Sequence, residues 1–153
     1  MAALRTILQE PLTFVSGFAS LNTEWLAPLD TLNTVIKTAS GAHGTLSLSF
    51  AATASQGIGR FGFVVLGTEG EVEIALRGPC LTLKHTKADG SVVLTEHAHC
   101  GVGLELAAFI RAIKGIDDGL GGPLSALKDL ALLQASFESQ GKPVDLQELV
   151  PEF

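Results

Sequence analysis

The sequence contains no tyrosine, one tryptophan, one methionine and two cysteines among its 153 residues. Two cysteines make no disulfide framework, and none is needed: folding a chain of this length buries about 68–70% of the surface its unfolded form exposes. Basic residues number 10 against 16 acidic and are scattered from Arg5 to Lys142. With no basic cluster there is no electrostatic footprint for nucleic acid or for an anionic membrane. No apolar run is long enough to cross a bilayer, and the opening MAALRTILQEPLTF carries acid and proline where a signal peptide would be apolar. A reduced, cytoplasmic setting is the expectation that follows. Charge as a whole is sparse: 17% of residues are charged against 46% hydrophobic, and mean hydropathy is +0.38. That describes a globular chain with a charge-poor surface of the kind partners cover.

What the sequence does have, over residues 12–97, is short runs rich in β-branched and aromatic side chains, broken by Gly, Pro and Asp. LTFVSGFASL, TLNTVIKTA, GTLSLSFAA, RFGFVVLGT, EVEIALRG, CLTLKHT and SVVLTEHA are the strand candidates. TLSLSF alternates most plainly, with Leu46, Leu48 and Phe50 on one side and Thr45, Ser47 and Ser49 on the other. The segments GTEG, ending at Gly70, and KADG, ending at Gly90, place glycine where a hairpin needs positive φ, so adjacent strands pair antiparallel.

After His97 the period changes. Leu106, Phe109, Ile110 and Ile113 recur at helical spacing in a segment that Gly115 ends, and a second helix runs over residues 123–140 with Ala126, Leu130, Leu133 and Phe137 on one stripe. Pro123 suits the first helical position and Gly141 the C-terminal cap. Strands first and helices after predict one α+β domain over residues 1–153: a largely antiparallel, open-faced β-sheet with two C-terminal helices packed on one face.

One stretch, GIGRFG at residues 57–62, has the G-x-G-x-x-G spacing of a dinucleotide-binding loop. That loop works only where its glycines end a strand and open a helix, whose N-terminus supplies amide donors to the pyrophosphate. Here FVVLGTEG follows, which reads as another strand, so the expectation is no cofactor at this loop.

Candidate chemistry is thin. EHAHC places Glu96, His97 and His99 together, and these are the candidate acid–base residues, since His titrates near neutrality and a neighbouring carboxylate tunes it. Cys100 follows, but no third ligand at zinc spacing can be picked out, so no metal site is expected. Trp25, on the connection between two strands, can cap a pocket or pack in the core. With His43 and His85 it makes up the candidate substrate-binding set; for the two histidines an ordinary hydrogen-bonded position on the sheet is the bland alternative.

A larger pattern carries more weight. The segments ASGAHGTLSLSF, FVVLGTEGEVEI and ELAAFIRAIKG, in that order, resemble the C-terminal domain of the Gfo/Idh/MocA oxidoreductases, the group of glucose-fructose oxidoreductase and inositol dehydrogenase. PLSALKDLALLQASFESQGKPVDL resembles that family's last helix and the short strand after it. The resemblance implies a substrate-side sheet that also serves assembly, and it normally accompanies a Rossmann domain that holds NAD(P). The family's Glu-Lys-Pro motif does not occur in these residues, and LRTILQEP looks like the end of the segment that follows the family's Asp- and His-bearing helix.

Three functions follow as expectations. The first is a diverged stand-alone domain that binds a small molecule without a nicotinamide cofactor, as a cyclase or isomerase of a biosynthetic pathway. The second is a non-catalytic binding or assembly subunit that pairs through the sheet face with itself, as a homo-oligomer, or with a complete oxidoreductase. The third is one half of an NAD(P)-dependent oxidoreductase completed by a Rossmann-domain partner.

Overall fold

A computed structural model describes residues 2–51, 61–77, 79–98, 101–116, 119 and 121–150. Every strand candidate is a strand: β1 (Leu12–Ser20), β2 (Thr31–Thr38), β3 (His43–Ser49), β4 (Gly62–Gly67), β5 (Gly70–Arg77), β6 (Cys80–Lys87) and β7 (Val92–Ala98). The helices α2 (Gly101–Ile113) and α3 (Pro123–Glu138) follow, and β8 (Val144–Asp145) comes after α3. Two short helices, α1 (Ala2–Leu8) and α4 (Leu146–Leu149), lie outside the sequence expectation. Every pairing is antiparallel, so the chain is α+β as expected.

The strands sort into two four-stranded ladders, β3-β2-β1-β8 and β4-β5-β6-β7, where the alternation suggested one continuous sheet. At the end of β3, Phe50 N–H donates to the Asp30 carbonyl and Ala51 N–H to Ser49 Oγ. The two ladders belong to separate compact units, residues 1–51 with 117–153, and residues 52–116.

In the first unit α3 packs on β1 and β2. The covered face carries Leu12, Val15, Leu32, Ile36, Leu132 and Leu146, all buried. The helix does not use the expected stripe. Leu130 and Phe137 are exposed, and the buried positions are Ala131, Leu132, Ala135, Ser136 and, just past the helix, Ser139. Leucines occur all round this helix, so periodicity does not single out a face; small residues decide it by letting the helix approach the strand closely. Ser139 Oγ donates to the Gly17 carbonyl at 2.8 Å and accepts from Gly17 N–H at 2.7 Å, tying the end of α3 to β1. The helix α1 adds the buried Leu4 and a bidentate pair in which Arg5 Nε and Nη2 donate to Asp129 at 2.7 and 3.0 Å.

The second unit is built differently. Its hairpins turn where expected, with φ of +136° at Gly70 and +82° at Gly90. Among its described residues only Thr82 is buried. The apolar stripe of α2, from Val102 through Leu106, Phe109 and Ile110 to Ile113, is more than half exposed at every position. Unlike α3, it buries no side chain.

Candidate functional site

Register decides which side chains meet, because residues opposite each other in an antiparallel pair share a face and successive residues alternate. In the second unit one face carries Phe63, Val65, Val72, Ile74, Leu81 and Leu83 and is apolar. The other carries Glu71, Glu73, Arg77, Thr82, Lys84 and Glu96 among the exposed Val64, Leu66 and Leu94 and is the more polar of the two. Glu73 stands directly opposite Lys84, and Thr82 opposite Glu96. Arg77 Nη2 reaches Glu73 Oε1 at 3.4 Å, and Thr82 Oγ1 donates to the Ala75 carbonyl at 3.1 Å.

A concavity of about 440 Å³ opens where β4 begins, lined by residues 61–64 and, from β5, residues 73–77. Phe61 and Phe63 meet edge to face with centroids 5.2 Å apart. Phe61 and Phe63 belong to the apolar face and Glu73 and Arg77 to the polar one, so the concavity draws on both sides of the strand pair. Sequence reasoning missed it. The available signal was Glu73 and Arg77 at i and i+4 of one strand, hence on one face.

The candidate acid–base residues do not assemble here. Glu96 lies on the polar face and His97, next in the chain, on the apolar face opposite Leu81. Adjacent residues of a strand project from opposite sides, so the proposed tuning of His97 by Glu96 has no geometry behind it. His99 and Cys100 lie outside the described residues. His85 stands on the same apolar face as His97, between Val72 and Val93, four positions and about 13 Å along the strand from Leu81. Among the described residues no cluster of three or more His, Cys, Asp or Glu is placed to hold a metal.

Trp25 and His43 belong to the first unit, at opposite ends of its open sheet face. Trp25 is 81% exposed, on a single 3-10 turn in the loop that joins Ser20 to Thr31. His43 pairs with Lys37 at the far end of β2, about 20 Å along the strand from Thr31. Between them the open face mixes the exposed apolar Phe18 and Val35 with Ser16, Asn33, Thr45 and Ser47. Asp30 anchors the Trp25 loop: its carboxylate accepts from Asn22 N–H and Nδ2, Thr23 N–H and Thr31 Oγ1, at 2.7–3.1 Å. Burial pushes this carboxyl up, but these donors together outweigh it and hold the group below the ordinary aspartate range.

The fit of a dinucleotide can be tested at the glycine stretch. Residues 57–60 lie outside the described residues, but Gly62, the last of the three glycines, opens β4 and no helix follows it. A Cβ on Gly62 would stand 2.8 Å from the Ile74 carbonyl, so close approach of the neighbouring strand accounts for this glycine. The described residues offer no helix N-terminus to a pyrophosphate there.

No family model matches the chain. It is 33% identical over 141 residues to Dehydrogenase FPY6 of Fusarium mangiferae, a match covering 89% of this chain and 38% of that protein. In structure it resembles an oxidoreductase from Thermotoga maritima, with a TM-score of 0.73 and 26% identity over 97% of this chain and 42% of the other. It also resembles the aldose-aldose oxidoreductase of Caulobacter crescentus solved with glycerol, with a TM-score of 0.74, 18% identity, and 94% and 44% coverage. The chain thus spans less than half the length of each of these relatives.

The class these matches define is the sheet-bearing domain of an oxidoreductase. More narrowly, the chain belongs with the C-terminal domains of the Gfo/Idh/MocA oxidoreductases.

Proposed function

We propose that this chain is the substrate-side and assembly half of an NAD(P)-linked oxidoreductase, working with a dinucleotide-binding domain that the described residues do not supply. The observation that carries this reading is the pairing of two facts. The chain matches the sheet-bearing part of oxidoreductases along 97% of its length, and the glycine stretch leads into a strand rather than a helix. The polar face of the second unit then presents Arg77 and Lys84 to a small polar substrate, and the dinucleotide domain brings the nicotinamide. Self-association through the exposed sheet surface belongs to the same reading, because the apolar face of the second unit has no cover of its own among the described residues.

The stand-alone isomerase or cyclase is less well supported. Such an enzyme needs an acid and a base converging on one pocket, and Glu96 and His97 diverge.

The sole tryptophan, Trp25, supplies the test. Titration of the whole chain with NADPH, followed by Trp25 fluorescence and by calorimetry, is expected to show no saturable binding. The same chain incubated with small hydroxy compounds but without nicotinamide is expected to form no product. Micromolar NADPH binding by this chain alone, or turnover without nicotinamide, would overturn the proposal.

A further inference from the structure

We propose that the outer edge of β7 is a self-pairing edge, along which a second copy of this chain adds its own β7 antiparallel to make one eight-stranded sheet from two second units. The inference rests on the self-association proposed above and goes further by naming the edge and the register.

An open strand edge presents a row of unpaired amides and carbonyls, and proteins block such edges with proline, lysine, bulges or very short strands. β8, the edge of the first ladder, is two residues long, and β4, the other edge of the second, begins and ends on glycine. β7 has none of these devices. Its sequence VVLTEHA contains no proline, lysine or glycine, and its ladder with β6 runs from Val92 to Ala98 without a register shift. All of its residues are exposed, and among the described residues β6 is its only strand partner.

The strand is also compatible with itself. A two-fold axis at Thr95 opposes Thr95 to Thr95, Leu94 to Glu96, Val93 to His97 and Val92 to Ala98, which uses the whole strand and sets no like charges against each other. Moving the axis to Glu96 would face two carboxylates and leave Val92 and Val93 unpaired within the strand. In the Thr95 register Val93, Thr95 and His97 of both copies lie on the apolar face, so the bands that contain Leu81 and Leu83 become continuous across the two copies.

The full-length chain carrying Cys80→Ser and Cys100→Ser provides the background for a crosslinking test. Added Thr95→Cys should place two thiols directly opposite one another, within reach of a disulfide, whereas Val92→Cys should place its twin at the far end of the paired strand. On mild oxidation the Thr95→Cys chain should form covalent dimer about tenfold faster than the Val92→Cys chain. Independently, Thr95→Lys, a change at an exposed position, should weaken the dimer about tenfold in light scattering by opposing two ammonium groups. A dimer whose Thr95→Cys variant crosslinks no faster than Val92→Cys, and which Thr95→Lys leaves intact, would overturn the β7 edge while keeping self-association. A chain that stays monomeric at every concentration would overturn both.

Discussion

In the first unit Leu12, Val15, Leu32 and Ile36 are buried on the face that α3 packs against, whereas in the second Ile74, Leu81 and Leu83 stand half-exposed and α2 buries none of its side chains. Both ladders have four antiparallel strands, so strand count is not what separates them. The difference lies in the helices. Small residues at positions 131, 135, 136 and 139 let α3 come close enough to exclude water from Leu132, while Val102, Phe109 and Ile113 of α2 present large side chains to solvent. Full burial of a leucine or isoleucine contributes about 1.5–3 kcal/mol, a gain the first unit collects at each core position and the second collects only in part. A sheet built this way reaches full stability when something covers its apolar face.

The sharpest way to break this contrast is a pair of truncations. Leu132→Ala, at a fully buried site, should lower unfolding free energy in urea by about 2–5 kcal/mol. Ile74→Ala, at a half-exposed site, should cost about 1 kcal/mol or less in dilute solution. If both cost the same, the apolar face of the second unit is already covered and the contrast fails.

Next in size is Ser139→Ala. The hydroxyl both donates to and accepts from Gly17 in a buried position, so its removal strands the Gly17 amide and should cost about 1–3 kcal/mol. Ser139→Thr keeps the hydroxyl, and recovery of part of that loss would separate the hydrogen bond from packing. An alanine variant as stable as the parent would remove the clamp from the account of how α3 is held.

Asp30 sharpens the comparison in another direction, since it fastens a loop of the first unit by ionic hydrogen bonds. Its carboxyl titrates below the ordinary range when folded, so its contribution is complete above the unfolded value of about 3.9 and is lost as pH falls through the lower folded value. The parent should therefore exceed Asp30→Asn in stability at neutral pH, and the gap should close in acid. A gap that stays constant down to pH 2 would show that the anion contributes nothing specific.

Much of this organisation was legible in the letters, for identifiable reasons. Period-two alternation and turn glycines placed β1 to β7 because each signal is local, whereas the two-residue β8 was expected only from the family resemblance. The helix α1 was not legible because seven residues make a marginal helix alone, and its hold comes from Leu4 and from Asp129, which is 124 positions away from Arg5. The packing face of α3 was hidden by leucines on every side. The polar face of the second unit was hidden differently, since Glu73, Lys84 and Glu96 come together only once the register is known. Glu96 and His97 illustrate the converse: neighbours in sequence became opposites in space, which the pleat alone predicts.

The smallest expected effect on stability falls where the largest effect on binding is expected. The Arg77–Glu73 contact is 3.4 Å long and the arginine side chain is 70% exposed, so Arg77→Gln should change unfolding free energy by less than about 0.5 kcal/mol. Yet Arg77 lines the concavity from the polar face, with Glu73, where a guanidinium can take a carboxylate or a hydroxyl pair in fork geometry. A ligand recognised there should lose about tenfold or more in affinity in Arg77→Gln, measured by calorimetry, while Lys37→Gln on the first unit leaves it unchanged. Equal losses in the two variants would indicate a general charge effect, and the concavity would then drop out of the proposed function.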